Sequence, residues 1–323
     1  MLPVASVGNI TLGGTGKTTA TRRLARDLLA RGVTPGIVLR GHGRERGPAR
    51  LVVSEGDEAQ VTAFESGDEA AMLARTVPGA PIAVGKRRER VIESLADHGA
   101  QVALLDDGFQ YFRMSRLVDL VLMDATADLA GARVFPRGYL REPLTHLRRA
   151  THLLLTHADL APHAQVGRIV ATLERHAPQA PVMLARHAPA GLYRLDRPDT
   201  VEPAAMLAGR RVAAMCAVGN PASFEGLLLG LGAHVVARAI FPDHHQYQPG
   251  DWRALREGVR GKGVELVVVT EKDAVKLPTP PADLPPVAAV AVELDVTHNA
   301  EAWQAMIGLI KDAARQEPPA PPQ

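Results

Sequence analysis

The chain has 323 residues, of which 46% are hydrophobic and 22% are charged. These fractions are those of an ordinary globular protein, and they exclude a disordered, collagen-like or coiled-coil chain. Lysine and arginine number 37 and aspartate and glutamate number 35, so the formal net charge is only +2 and no nucleic-acid partner is expected.

The expected location follows from signals that the sequence lacks. The single cysteine, Cys216, excludes an intramolecular disulfide and a cysteine-rich zinc site, which suits a reducing compartment. The sequence contains no run of about 18 apolar residues that would span a bilayer. It opens without the basic region and apolar stretch of a signal peptide. We therefore expect a cytoplasmic protein, either soluble or peripheral to a membrane.

The first part of the chain alternates between apolar strands and helical patterns. Residues 2–8 form a short apolar strand that runs into a glycine-rich turn, and a helical pattern follows at 18–32. Further strands are predicted at 35–39, 81–84, 102–105, 117–123 and 152–155. Further helices are predicted at 68–75, 86–98 and 161–176. This alternation predicts a mostly parallel sheet with helices on both faces.

The second part of the chain repeats this alternation after an irregular, proline-richer stretch at 178–211. Strands are predicted at 211–218, 235–241, 264–270 and 288–294, and helices at 222–231 and 252–259. We predict a larger α/β domain at 1–205, a smaller α/β domain at 206–299, a C-terminal amphipathic helix at 300–315 and a disordered tail at 316–323.

The strongest functional signal is a glycine-rich run between the first strand and the first helix, Gly13-Gly14-Thr15-Gly16-Lys17-Thr18. In a P-loop, backbone N–H groups hold phosphate oxygens, the lysine carries charge to the β and γ phosphates, and the hydroxyl faces magnesium. The strict pattern has glycine where this chain has Thr11. An incidental glycine-rich turn is the alternative, but the strand and helix contexts favour a P-loop NTPase-like α/β fold that binds ATP or GTP.

Other polar clusters each allow two interpretations. Asp106 and Asp107 end a predicted strand, where a P-loop protein places a magnesium-facing aspartate, but Asp-Asp-Gly is also turn chemistry. Asp68 and Glu69 begin a helix, where acidic residues also act as caps. The segment 241–247 (FPDHHQY) supplies an aspartate–histidine general base or is an exposed loop.

The order of the motifs resembles one family, the tetraacyldisaccharide 4'-kinases of lipid A biosynthesis. The resemblance covers nearly the whole chain and is carried by residues 7–18 (VGNITLGGTGKT), 39–43 (LRGHG), 67–70 (GDEA), 106–110 (DDGFQ), 140–144 (LREPL), 218–221 (VGNP), 241–244 (FPDH) and 270–276 (TEKDAVK). A polar residue at position 11 is also what this family shows where the strict P-loop has glycine.

The resemblance implies transfer of the γ-phosphoryl group of ATP, with Mg²⁺, to the 4'-hydroxyl of a tetraacylated glucosamine disaccharide 1-phosphate. It favours Asp68 over the near-copy at 56–59 (GDEA) as the base for the sugar hydroxyl, with His244 as its dyad partner. Lys17 offsets charge on the phosphates. Because His244 and the P-loop lie in different predicted domains, we expect a cleft that closes by hinge motion.

The remaining candidate residues follow from the same resemblance. Those for the nucleotide are Thr11, Gly13, Gly14, Thr15, Gly16, Lys17 and Thr18. Those for the surroundings of the magnesium ion and the γ-phosphate are Thr18, Asp106, Asp107, Gln110 and Glu142. Those for the lipid phosphate, in two basic segments that are otherwise solvated helix faces, are Arg87, Arg88 and Arg141.

The resemblance also implies a partner and a location. The partner is the acylated disaccharide 1-phosphate lipid, reached by peripheral contact with the cytoplasmic face of the inner membrane, with no required protein partner. Family members usually carry a hydrophobic and basic segment before the first strand, which here begins almost at Met1. Either the start site lies upstream, or the enzyme reaches its lipid by another surface. Tyr111, Phe112 and Arg137 also depart from the family's usual residues.

Two other functions are compatible with a P-loop. One is a GTPase or metallochaperone, because Thr156-His157-Ala158-Asp159 is close to the guanine-reading motif [NT]-K-x-D, although histidine replaces its lysine. A preference for GTP over ATP would support it. The other is a non-catalytic nucleotide-binding protein that keeps the fold, against which the intact candidate catalytic residues argue.

Overall fold

The structure, a computed structural model, describes residues 2–41, 48–57, 60–127, 129, 132–243 and 245–316. The chain divides into two compact units, the first formed by Met1–His187 with Leu294–Gln323 and the second by Ala188–Glu293. The chain passes between the units within β8 (Val182–Arg194) and β13 (Val287–His298).

The first unit is an α/β layer structure around a mostly parallel sheet. Its other strands are β1 (Val4–Asn9), β2 (Pro35–Leu39), β3 (Arg50–Glu55), β4 (Pro81–Gly85), β5 (Val102–Asp106), β6 (Val118–Asp124) and β7 (His152–Thr156). Its helices are α1 (Lys17–Leu29), α2 (Ala63–Ser66), α3 (Asp68–Thr76), α4 (Arg88–Asp97), α5 (His163–His176) and α9 (Ala300–Arg315). The strand order is β8-β7-β6-β1-β5-β2-β4-β3, and only the β3–β4 pair in this order is antiparallel.

Helices cover both faces of this sheet, as the burial of successive strand residues shows. In β5, Leu104 packs with the residues of α1, α3 and α9, whereas its neighbour Leu105 packs with those of α4. Successive side chains of a strand point to opposite faces, so a strand buried on both faces is apolar throughout. The uninterrupted apolar runs of the sequence therefore belong to a doubly covered sheet.

The strands β1, β5, β6 and β7 run parallel and end at the same edge of the sheet. Val7 lies opposite Asp106 of β5, and Asn9 lies opposite Leu122 of β6. The chain leaves β1 into the glycine-rich loop and leaves β5 at the two aspartates. In open α/β sheets, ligands bind outside the carboxyl ends of the strands. The fold thus brings the two strongest sequence signals together.

The second unit is a smaller α/β structure. In it β10 (Arg211–Cys216) lies between β11 (His234–Ile240) and β12 (Leu266–Thr270), and β13 pairs with β12, all in parallel. The antiparallel strand β9 (Arg197–Glu202) pairs with the end of β8. The helices are α6 (Pro221–Gly230), α7 (Pro249–Val259) and α8 (Glu271–Ala274), of which α6 and α7 pack on opposite sides of β12.

The boundaries of the units differ from the predicted domains. The first unit ends at His187 and not at residue 205, because the stretch predicted to be irregular contains β8 and β9. The helix at 300–315 belongs to the first unit, where the Nε1 of the buried Trp303 donates to Asp27 of α1 at 2.8 Å. The strand β3 was also not predicted. Of the predicted tail at 316–323, residues 317–323 lie outside the described residues.

Among the residues that the structure describes, no helix is both long enough and apolar enough to cross a bilayer.

Candidate active site

The glycine-rich loop joins β1 to α1, and its backbone needs glycine at defined points. Gly13 and Gly16 have positive φ angles of 102° and 78°, a region that side chains disfavour. A Cβ on Gly16 would also lie 2.5 Å from the ring of His187. Gly16 is the N-cap of α1, so Lys17 and Thr18 open the helix and its unpaired N–H groups face the loop. This is the backbone geometry that binds phosphate.

Hydrogen bonds from three parts of the chain hold the loop. The amide of Asn9 donates to Oγ1 of Thr15 at 3.1 Å, and the hydroxyl of Thr156 donates to the carbonyl of Thr15 at 3.1 Å. The N–H of Leu12 donates to the carbonyl of Tyr139 at 2.7 Å. Thr11 is buried, and within the described residues its hydroxyl has no hydrogen-bond partner. The loop is therefore supported before any phosphate binds.

A chain of charges lies at the start of α1. The ammonium group of Lys17 is 3.7 Å from Asp107, whose carboxylate also pairs with both terminal nitrogens of Arg141. Arg141 donates to Oδ1 of Asn9 as well, at 2.9 Å. Although burial acts to raise the pKa of Asp107, the hydrogen bonds from Arg141 and the charge of Lys17 lower it below its ordinary value. Asp107 is thus an anion that holds two cations beside the phosphate loop.

Asp106 has a different environment from its neighbour. It is only 3% exposed, and its Oδ2 accepts a hydrogen bond of 3.3 Å from the hydroxyl of Thr18. Its Oδ1 is buried and has no hydrogen-bond partner among the described residues. Burial and the nearby charge of Glu69 raise the pKa of Asp106 to about 7, against the opposing effect of Lys17. An additional positive charge beside Asp106 would therefore favour its ionised form.

These features fit a magnesium ion bound with a nucleotide. In the described part of the chain, no group of three or more histidine, cysteine, aspartate or glutamate side chains is placed to hold a metal by itself. Mg²⁺ in kinase sites uses one or two carboxylates and otherwise waters and substrate phosphates. The unpaired Oδ1 of Asp106, with Thr18 beside it, supplies such a partial set of ligands.

Gln110 and Glu142, two candidates for the surroundings of the magnesium ion, lie together and bind each other. The amide of Gln110 donates to Glu142 at 2.7 Å and to the carbonyl of Asn9 at 2.9 Å. Glu142 also accepts hydrogen bonds from His146 at 2.8 Å and Arg149 at 2.9 Å. Burial acts to raise the pKa of Glu142, and these hydrogen bonds outweigh it and lower the pKa. Glu142 is therefore an ionised anchor for Gln110, and its contact with a metal stays a prediction.

Asp68 is buried at the first turn of α3. The preceding Gly67 has a φ of 92°, so the chain enters the helix through a bend that glycine accepts. The adjacent Glu69 acts on the pKa of Asp106, so the start of α3 belongs to the same region as the end of β5. The near-copy motif contains Glu58 and Ala59, which lie outside the described residues. His244, the predicted partner of Asp68, also lies outside them.

The three arginines predicted for the lipid phosphate are placed differently. Arg87 is exposed and precedes α4. Arg88 is buried, donates to the carbonyl of Gly85 at 3.0 Å and lies 5.3 Å from the ring of Tyr111. Burial lowers its pKa, and the charges of Asp107 and Asp106 act against that effect. Arg141 pairs with Asp107. Their roles toward a lipid phosphate stay predictions.

Two residues of this region had no assigned role in the sequence analysis. Asn9 is fully buried and binds Thr15, Arg141 and Gln110, so it connects the loop to the other polar residues. Glu69 lies in the motif at 67–70 (GDEA), in which Asp68 alone is a predicted catalytic residue. The signal for Asn9 was a polar residue ending a buried apolar strand, which is a position at the functional edge of the sheet.

In the motif at 156–159, His157 occupies the position of the guanine-stacking lysine, and its ring contacts Asp124 and His187. Nδ1 of His157 lies 3.0 Å from Oδ2 of Asp124, and the two rings of His157 and His187 are 4.4 Å apart. Burial lowers the pKa of His187 to about 3, so this ring is neutral at physiological pH. No lysine occupies the position that would stack on guanine, and the GTPase interpretation is not favoured.

The parallel sheet, the strand–loop–helix at Gly13–Thr18 and the aspartate at the end of β5 define an α/β protein of the P-loop NTPase-like class. The family model for tetraacyldisaccharide-1-P 4'-kinase, LpxK, matches residues 1–311. The chain belongs to the tetraacyldisaccharide 4'-kinase family.

Individual relatives are similar to this chain over most of their own length. A tetraacyldisaccharide 4'-kinase of Anaeromyxobacter sp. (strain K) is 38% identical over 99% of this chain and 84% of its own. The kinase of the same description from Syntrophus aciditrophicus is 34% identical over 96% of this chain and 84% of its own. The crystal structure of "apo" form LpxK from Aquifex aeolicus in complex with ATP is 28% identical, with a TM-score of 0.75 over 97% of this chain and 88% of that one.

Proposed function

We propose that this chain is an ATP-dependent lipid kinase. It transfers the γ-phosphoryl group of ATP to the 4'-hydroxyl of a tetraacylated glucosamine disaccharide 1-phosphate, a step of lipid A biosynthesis. The observation that carries the proposal is the convergence of the phosphate loop, Lys17 and the Thr18–Asp106 pair at one edge of the sheet, in a chain that belongs to the tetraacyldisaccharide 4'-kinase family.

The loop and the start of α1 bind the triphosphate. Backbone N–H groups of the loop and the helix N-terminus donate to phosphate oxygens, and Lys17 offsets their negative charge. Thr18 and Asp106 would hold Mg²⁺, which would offset negative charge on the phosphates during transfer. The carboxylate of Asp107 contacts both Lys17 and Arg141. Its negative charge offsets the repulsion between these two cations beside the phosphate loop.

Asp68 is the proposed base for the acceptor. The 4'-oxygen forms a bond to the γ-phosphorus while the bond from that phosphorus to the bridging oxygen of ADP breaks. The proton of the hydroxyl passes to the carboxylate of Asp68. His244 is the proposed dyad partner of Asp68 and stays a prediction from the sequence motif, as does the hinge closure that would exclude water.

A lipid acceptor implies that the protein works at a membrane. A tetraacylated disaccharide resides in a bilayer, so we propose peripheral binding at the cytoplasmic face of the inner membrane without a required protein partner. Arg87 is an exposed cation at the start of α4 and remains the available candidate for the 1-phosphate, because Arg88 and Arg141 have partners within the protein.

The test is transfer of radiolabelled γ-phosphate from ATP to the tetraacyl disaccharide 1-phosphate in detergent micelles. We expect transfer by the wild type and its loss in Lys17→Ala and Asp68→Asn, while ATP binding survives in Asp68→Asn. The matched control is Asp57→Asn, which changes the equivalent aspartate of the near-copy motif and should retain activity.

Three outcomes would contradict the proposal. Tight ATP binding without lipid phosphorylation would indicate a binding protein. Faster turnover of GTP than of ATP would restore the GTPase interpretation. Equal losses in Asp57→Asn and Asp68→Asn would remove Asp68 as the base.

A further inference from the structure

We propose that residues 133–137 (RVFPR), with Leu12, form a docking surface for an anionic phospholipid bilayer. We call these six residues the tip. The inference rests on the proposed function in one respect, namely that a kinase with a lipid acceptor works at a membrane. It goes further by assigning the contact to particular residues.

The tip exposes large apolar side chains to solvent. Phe135 is 65% exposed, Leu12 is 48% exposed and Val134 is 38% exposed. Arg133, Pro136 and Arg137 are exposed as well, so every residue from 133 to 137 faces solvent. Exposed apolar side chains that lie together cost free energy in water and mark interaction sites. The order along the chain is cation, three apolar residues, cation.

Backbone hydrogen bonds hold the tip in place. The N–H of Phe135 donates to the carbonyl of Leu140 at 2.8 Å, and the N–H of Leu140 donates back to the carbonyl of Arg133 at 3.0 Å. Leu140 is buried. A Cβ on Gly138 would lie 2.4 Å from the carbonyl oxygen of Arg133, so the turn closes tightly. The exposure of Phe135 is thus a property of a fixed turn with a buried anchor.

The tip is continuous with the phosphate loop. Leu12 stands between Thr11 and Gly13, and its N–H donates to the carbonyl of Tyr139 at 2.7 Å. Thr11 pairs with Leu140, which also pairs with Val134, so these segments lie side by side. A bilayer at the tip would therefore lie beside the loop that binds ATP. That placement suits an enzyme whose acceptor is in the membrane.

The arginines and apolar side chains of the tip favour a bilayer as its binding partner. Arginine keeps its guanidinium in the headgroup layer while its stem lies along apolar surface, and Phe135 and Val134 enter the boundary of the acyl chains. Two flanking arginines attract anionic headgroups, each strengthening binding by about fivefold near such a surface. A second copy is a poorer occupant, because a symmetric contact through this tip would bring the arginines of both copies together.

The experiment measures co-sedimentation of the full chain with phosphatidylethanolamine vesicles, with and without phosphatidylglycerol. For the variant Val134→Ser with Phe135→Ser, we expect about tenfold weaker binding to both vesicle types. For Arg133→Gln with Arg137→Gln, we expect loss of the preference for vesicles that contain phosphatidylglycerol. The matched control is Leu229→Ser in α6, whose side chain is 54% exposed, and its binding should be unchanged. Thermal unfolding of each variant verifies that it folds.

A second measurement separates this proposal from the proposed function. Transfer to acceptor embedded in vesicles should fall in Val134→Ser with Phe135→Ser, while transfer to acceptor dispersed in detergent stays at the wild-type rate. If the wild type binds vesicles through the tip but phosphorylates no acceptor, the proposed function fails and the docking surface stands.

Other outcomes would overturn the docking surface itself. These are vesicle binding that the tip variants leave unchanged, or no binding by an active wild type. Equal losses of transfer in vesicles and in detergent would mean that the tip holds the acyl chains of the acceptor. A dimer that dissociates on Phe135→Ser, in a protein that ignores vesicles, would make a second copy the occupant.

Discussion

The hydroxyl of Thr18 donates a 3.3 Å hydrogen bond to the carboxylate of Asp106, which lies 88 residues further along the chain. The bond joins the first turn of α1 to the end of β5, two elements that the sequence places far apart. The other carboxylate oxygen of Asp106 is buried without a partner among the described residues. The pair is therefore placed to receive a cation, and burial disfavours the charged form of Asp106 when no cation is bound.

The raised pKa of Asp106 predicts a pH-dependent gain in stability for Asp106→Asn. The native carboxyl keeps its proton up to about pH 7, whereas in the unfolded chain it ionises near its ordinary value of 3.8. Between these values the native state binds more protons, so the free energy of unfolding falls as pH rises. Asparagine carries no charge, so the advantage of the variant should grow by about 2–3 kcal/mol between about pH 5 and pH 8.

Urea unfolding without nucleotide or magnesium measures this advantage at both pH values. The exposed Asp57→Asn serves as the control for loss of a surface carboxylate, and the advantage of Asp106→Asn is measured relative to it. An advantage of Asp106→Asn that is the same at both pH values would contradict the raised pKa of Asp106.

Gly16→Ala should destabilise the protein before any ligand binds. Its φ of 78° disfavours a side chain, and the new Cβ would collide with the ring of His187. We expect a loss of about 1–3 kcal/mol in the free energy of unfolding. Gly14→Ala is the matched control, because a Cβ added to Gly14 would have no atom of the described structure within 4 Å and its φ is not positive. Equal unfolding midpoints for the two variants would show that the loop rearranges.

Asp273→Asn should destabilise the second unit. Asp273 is fully buried, and its carboxylate accepts hydrogen bonds from the N–H of Ala217 at 3.2 Å and the hydroxyl of Tyr247 at 3.1 Å. Nζ of Lys276 lies 3.5 Å from it and is also buried. Removing the negative charge breaks a buried ion pair between Asp273 and Lys276, which costs about 3–5 kcal/mol.

Chemical unfolding of Asp273→Asn measures this cost. The double variant Asp273→Asn with Lys276→Met removes both charges and should recover part of the stability. If the single and double variants are equally unstable, the ion pair is not the cause.

Cys216 should resist thiol reagents in the native protein. The side chain is buried at the end of β10, and burial together with the charge of Asp273 raises the pKa of its thiol to about 12. Thiolate is the reactive form, so labelling by a disulfide reagent near neutral pH requires unfolding. The labelling rate in increasing urea should follow unfolding of the second unit, and rapid labelling in native buffer would contradict this prediction.

Local patterns in the sequence predicted most of the strands and helices and the phosphate-binding loop. The strand at 35–39 and the helix at 300–315 have the predicted bounds, because apolar runs and amphipathic spacing depend only on near neighbours. The phosphate loop is likewise one contiguous segment between a strand and a helix, so its residues could be identified without a fold. The order of the motifs indicated the family, and the family model and the sequence relatives confirm it.

The tertiary structure decided the partners of the polar residues. The sequence predicts that Arg141 binds a lipid phosphate, and the fold pairs it with Asp107, 34 residues away. The sequence predicts Glu142 near a metal, and in the fold His146, Arg149 and Gln110 donate to its oxygens. The charge of Glu69 reaches Asp106 only because α3 and β5 are neighbours in space. Such pairings depend on which strands lie side by side, and no local pattern records that order.

The same reason explains why the boundary of the compact units differs from the predicted domain boundary. The stretch at 178–211 contains prolines and polar residues that locally indicate irregular structure. The parallel partner Leu153–Leu155 nevertheless orders the start of β8, and pairing of Leu192 with Glu202 orders its end. Strong local signals located most strands and helices. The segment at 178–211 instead depends on hydrogen bonds to β7 and on the pairing of β8 with β9, because a β-strand is completed only by its neighbour.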